Sequence, residues 1–166
     1  MAFDAFLKID TIDGESTNIK YAKWIEIMSF AWGVTDPRIG STQPGKTPTS
    51  GKAQVHDISF TKFMDSASPT LFQKACEGAN LGEAQLTLVR TGDRQEEFLK
   101  IKLTDILVSG VQHSGGSGIV TESFSLSFGS ALISAADDKG QFTSASTCGA
   151  ASFNDLKEPP ILSEKK

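Results

Sequence analysis

At 166 residues the chain is long enough for one domain whose core needs no staple. With 39% hydrophobic and 22% charged residues it has ordinary globular composition, and a net charge of −4 with sixteen scattered Lys and Arg argues against a general affinity for nucleic acid. Two cysteines, Cys76 and Cys148, are too few for a disulfide framework; they read as reduced thiols, with a single bridge as the alternative. No run approaches the ~18 apolar residues of a spanning helix, which argues against membrane insertion, and the opening Met-Ala-Phe-Asp-Ala-Phe lacks the apolar stretch of a Sec-type leader.

Most of the chain carries a period of two. Phe3, Ala5, Leu7 and Ile9 alternate with polar residues, which predicts a strand with one buried face. Gly14 marks a turn. From Trp24 to Val34 the apolar phase changes midway: Ile25 and Ile27 share one face, Met28, Phe30 and Trp32 the other. That predicts a strand covered on both sides or switched by a bulge, with Trp24, Phe30 and Trp32 in the core. Residues 35–52, rich in Gly, Pro, Ser and Thr, predict a long loop between strands.

Further strands are expected at Val55–Met64, with Ile58 and Phe60 on one side, and at Gln85–Arg90, through Leu86 and Leu88. The Phe98–Val111 run slips phase near Asp105. In Thr121–Phe128, Phe124, Leu126 and Phe128 alternate with serines, and Ser-Gly-Gly-Ser-Gly at 114–118 reads as a flexible hairpin loop. One helix is predicted at about 69–77: Ser68 as N-cap, Pro69 at the first position, Leu71, Phe72, Ala75 and Cys76 as an apolar stripe, and Gly78 as terminator. Residues 134–166 read as a polar tail with one short strand near 152–157, leaving a single domain over 1–133.

The motifs offer no convincing reactive centre. Gly40-Ser-Thr-Gln-Pro-Gly45-Lys46-Thr47 matches a phosphate-binding loop, but Pro48 follows where that chemistry needs a helix, so a nucleotide-binding enzyme is only a remote alternative. His56 and His113 lie on separate segments, without the neighbours a zinc site needs. Glu96/Glu97 and Asp137/Asp138 are adjacent, so in extended chain they face opposite ways and cannot act as an acid–base pair. The residues therefore imply no enzyme, no cofactor and no metal.

A set of ordered segments resembles a known family. Phe6-Leu7-Lys8-Ile9 followed by Asp13-Gly14-Glu15-Ser16, then Phe30-Ala31-Trp32-Gly33, Ile58-Ser59-Phe60-Thr61-Lys62, Ser68-Pro69, Ala75-Cys76-Glu77-Gly78, Leu107-Val108-Ser109-Gly110-Val111 and Thr121-Glu122-Ser123-Phe124 are similar to segments of the haemolysin-coregulated proteins (Hcp) of type VI secretion. The likeness covers about residues 3–130, and the tail departs from the family pattern. The resemblance implies a mainly β protein, a single β-barrel of antiparallel strands with one flanking helix. It also implies homohexameric rings stacked into a secretion tube that carries effectors, with sheath and spike proteins as further partners. On that likeness the 35–52 loop, with Gly40, Gln43, Gly45, Lys46 and Thr47, reaches the neighbouring ring, and Ser29, Ala31 and Gly33 line the lumen. The protein would fold in the cytoplasm and leave through the secretion apparatus. A phage-like tail tube of the same fold is the alternative.

Overall fold

The computed structural model describes residues 2–35, 54–92 and 94–148. Two antiparallel sheets carry the fold. The larger runs in the order β12-β11-β8-β7-β1-β2 and the smaller β3-β6-β10-β9. Their strands are β1 (Phe3–Ile9), β2 (Ile25–Ile27), β3 (Ser29–Ala31), β6 (Ile58–Phe63), β7 (Glu83–Arg90), β8 (Glu97–Thr104), β9 (Leu107–Gly116), β10 (Ile119–Ser127), β11 (Ser130–Ala136) and β12 (Phe142–Cys148). A short ribbon, β4 (Val34–Thr35) with β5 (Gln54–Val55), continues the β3–β6 pair outward, and one helix, α1 (Ser68–Glu77), lies against β9. The mainly β class is as expected, but the wall is two open sheets around a shared core instead of one closed barrel.

The core follows from the alternation. Leu7, Ile25, Leu86, Ile101 and Leu103 of the large sheet meet Ile58, Phe60, Phe124 and Leu126 of the small one, all essentially inaccessible. Phe60 and Phe124 are register partners, their rings stacked 5.1 Å apart. Phe30 and Trp32 pack against this cluster. Trp24 does not: it joins Phe6, Tyr21 and Val89 on the other face of the large sheet, so β7 is covered on both sides.

The phase slips mark places where the chain changes sheets. At Met28 it leaves β2 for β3, and the Met28 amide bonds the Thr61 carbonyl at 2.8 Å. At Asp105, whose φ is +53°, it turns from β8 into β9. The segment read as one slipping strand over 98–111 is thus two strands in different sheets. Gly14 is fixed by a close approach: a Cβ there would stand 2.4 Å from the Trp24 carbonyl oxygen.

Two local expectations are corrected. The 114–118 stretch is mostly strand; only Ser117 and Gly118, both at positive φ, make the turn, as a two-residue hairpin requires. Residues up to Cys148 belong to the large sheet through the β11–β12 hairpin, where a polar tail was expected from 134; small residues such as Ser134, Ser144 and Ala145 form this ladder without an apolar signature. The expected strand at 152–157 lies outside the described residues.

The helix turns out differently from its stripe. Leu71 is buried and Ala75 packs on the core, but Phe72 and Cys76, one step round the helix, face outward, so Cys76 is not core. Ser68 is not the N-cap. It is the first helical residue, and its hydroxyl accepts from the Asp65 amide at 3.1 Å while Asp65 accepts from the Ala67 amide. Gly78 ends the helix at φ +61° as expected.

Candidate assembly surfaces

The outer face of the small sheet is built by the same alternation that fills the core. With Phe30, Phe60 and Phe124 inward, register places Ser29, Thr61, Ser123 and Gln112 in one outward row and Ala31, Ser59, Ser125 and Gly110 in the next. No Asp, Glu, Lys or Arg stands in these rows. The hydroxyls partly satisfy one another: Ser109 Oγ lies 2.8 Å from Ser125 Oγ and Thr61 Oγ1 3.5 Å from Ser123 Oγ. Ser109 is the extra residue of a bulge opposite Ser125/Leu126. Among the described residues this sheet has two unpaired edges, β3 and β9.

Two of the three expected lumen residues, Ser29 and Ala31, lie on this face. Gly33 lies beyond it, in the ribbon leading to β4, where its carbonyl accepts from the His56 amide. Ser59, Thr61, Gln112, Ser123 and Ser125 belong to the face but were not picked out from sequence, although the Ser123-x-Ser125 alternation was visible. Gly40, Gln43, Gly45, Lys46 and Thr47 lie outside the described residues.

Beneath α1 the small sheet buries a polar cluster. Lys62 and Glu122 are register partners with fully buried side chains. The Lys62 ammonium donates to Asp65 Oδ1 at 2.6 Å, Ser68 Oγ at 2.9 Å and the Phe63 carbonyl at 3.1 Å. An ammonium has three donors, and these partners occupy them. Glu122 Oε1, 3.2 Å away, is therefore held by charge without an aligned hydrogen bond. Its other oxygen lies 2.5 Å from His113 Nε2, and the His113 ring stacks on Phe72 of α1. One ammonium thus ties the end of β6, the start of α1 and, through Glu122, the β9–β10 hairpin.

A second polar group sits on the large sheet. Glu97 accepts from the Tyr21 hydroxyl at 2.6 Å and pairs with Lys100 at 2.5 Å and Lys20 at 3.3 Å. Burial opposes its ionisation, but the Lys100 and Tyr21 hydrogen bonds and the two lysine charges outweigh that and hold its carboxyl below the usual glutamate range. Burial first, then the Glu97 carboxylate, pushes the Tyr21 hydroxyl far up. A carboxyl depressed by folding contributes stability that is present above its unfolded value and lost as pH falls through the folded one. Glu97→Gln should therefore lower stability at pH 7, where the carboxylate contributes fully, change little at the acid end, and so flatten the loss of stability below about pH 4.5; urea midpoints across pH 2.5–7 would test this, and an unchanged pH 7 midpoint with an unchanged acid limb would count against it.

None of these groups is arranged for catalysis. The Ser68 hydroxyl beside Lys62 is buried under the helix, out of reach of a substrate. Glu96 is exposed while Glu97 is engaged as above, and Asp137 closes a turn by accepting from the Lys139 and Gln141 amides. His56 bonds Thr35 Oγ1 and does not approach His113's partners. Among the described residues no group of three or more His, Cys, Asp or Glu could hold a metal, and no helix is long and apolar enough to cross a membrane.

Residues 6–134 match the family model described as type VI secretion system effector, Hcp. The chain belongs to the Hcp family. It is a type VI secretion tube protein, of a structural family and not of a known enzyme family. Protein hcp1 of Pseudomonas aeruginosa is 34% identical over 131 residues, covering 77% of this chain and 80% of that protein. The crystal structure of Hcp1 from Salmonella typhimurium superposes with a TM-score of 0.73 at 31% identity, over 88% of this chain and 94% of the other. A structure of a type six secretion system protein gives 0.76 at 30% identity, over 88% and 92%. The β11–β12 hairpin lies partly beyond the family match, which ends within β11.

Proposed function

We propose that copies of this Hcp chain set their small sheets side by side, β9 of one against β3 of the next, and so wall a channel with the uncharged Ser/Thr/Gly face. The observation that carries this reading is that face itself, bounded among the described residues by two unpaired strand edges. Exposed edges invite pairing with another chain, and unlike edges pair heterologously, which closes into a ring when the rotation allows. Six copies per ring, with rings stacked head to tail by the 35–52 loop, make the tube. Small effectors travel inside, sheath and spike proteins engage it from outside, and the protein passes from the cytoplasm through the apparatus. The chain turns over no substrate and needs no cofactor.

Electron micrographs of the purified protein should show rings of about six subunits with an open centre. Deleting residues 36–52 should leave rings but abolish their stacking into tubes. A monodisperse monomer would refute the ring, and tubes formed by the deletion variant would refute the role of the loop.

A further inference from the structure

The β4–β5 ribbon and one cleft occupy opposite ends of the same pair of strands. The ribbon extends β3 and β6 past the Ala31–Ser59 partners. At the other end, beyond Ser29–Thr61, lies a cleft of about 300 Å³ lined by Glu15, Glu26, Ile27, Met28, Phe63, Met64 and Asp65 together with Ser16. Six residues of β6 separate the two ends, roughly 20 Å at strand rise.

The cleft combines apolar and acidic side chains in similar measure. Met28, Phe63 and Met64 are each about half exposed and lie together in this one cleft. Glu15, Glu26 and Asp65 line it with them. Asp65 is engaged by Lys62 and Glu15 accepts from the Ser66 amide; Glu26, exposed on β2, pairs with no cation among the described residues.

Residues 36–53, which join β4 to β5, have the opposite character. They hold Arg38, Lys46 and Lys52 against Asp36, a net charge of +2 in a chain whose total is −4. An out-and-back excursion of eighteen residues reaches at most ~30 Å. In its own chain the segment starts at the end of the strands away from the cleft. In a head-to-tail stack the ribbon end of one copy meets the cleft end of the next.

We infer that the Glu15/Glu26/Asp65 cleft receives the basic 36–53 segment of a second copy in the adjacent ring. This rests on the tube reading and names the receiving site that the reading lacks. The carboxylates draw in Arg38, Lys46 and Lys52, and the exposed methionines and Phe63 supply adaptable apolar contact.

A fluorescent peptide of residues 36–53, titrated into the full chain and followed by anisotropy, tests it. Saturable binding is expected at low salt, weakened about tenfold by Glu26→Lys, less by Glu26→Gln, and weakened again at ~0.5 M salt, where charge attraction is screened. The Lys46→Glu peptide should prefer the Glu26→Lys protein to the wild type. Both protein variants should keep the wild-type unfolding midpoint, since Glu26 is exposed. No saturable binding to the wild type, or binding that Glu26→Lys leaves unchanged, overturns the inference. Peptide binding by a protein that forms no rings would instead overturn the tube reading and leave the site standing.

Discussion

Lys62→Ala should destabilise the protein by about 3–5 kcal/mol, the usual loss when one partner of a buried ion pair is removed. The reason lies in what remains. Without the ammonium, Asp65 and the buried Glu122 carboxylate lose their common counter-charge, and Ser68 Oγ and the Phe63 carbonyl lose a donor. Because these groups sit on β6, the turn before α1 and β10, the damage should spread to the helix and the β9 edge. Chemical denaturation would give the magnitude, and hydrogen exchange should show faster opening of α1 and β9 than of β7. The double change Lys62→Met with Glu122→Gln should recover part of the loss, since it removes charge from both strands together. A loss below ~1 kcal/mol for Lys62→Ala would mean that water reaches the cluster and the pair contributes as little as a surface one.

Leu126→Ala should cost about 2–5 kcal/mol, the range for truncating a buried leucine. Leu126 is fully buried opposite Ile58 in the core shared by the two sheets, so the cavity has rigid walls on both sides. The same denaturation experiment decides it, and an effect near zero would show that the inward face of β10 has been assigned wrongly. Unlike Lys62→Ala, this change removes no polar partner; α1 should therefore open no faster than the rest of the sheet.

Much of this architecture is legible in the sequence because alternation is a local signal. Phe124, Leu126 and the serines between them assign both faces of β10 without any knowledge of the partner strand. The phase break at Met28 likewise announces a change of side, and the structure shows it as a change of sheet. Where the pattern depends on distant neighbours, it gives less. Lys62 stands in phase with Ile58 and Phe60, and Glu122 with Phe124; only the β6–β10 register reveals that the two charges meet. Phe72 and Cys76 share the helical stripe of Leu71, yet only the Leu71 and Ala75 line packs into the core. The β11–β12 ladder is largely small residues, and its strand character comes from pairing, β11 with β8 and β12 with β11, more than from their own hydrophobicity.

The same dependence on a partner holds for the candidate assembly surface. Ser29 and Ala31 were marked by likeness to a family, whereas Ser59, Ser125 and Gly110 become their neighbours only once three strands are aligned. With the chain in the Hcp family, that patch of serines is the face proposed above to wall the channel.

That patch also bears on transit. Its hydroxyls already point at one another, as Ser109 and Ser125 do, and nothing in its rows carries a fixed charge. In a conduit walled by such sheets a passenger would meet neither a strong anchoring point nor a field that ionic strength could alter. Passage would then depend on girth more than on chemistry, and a single wall could serve cargoes of unlike surface.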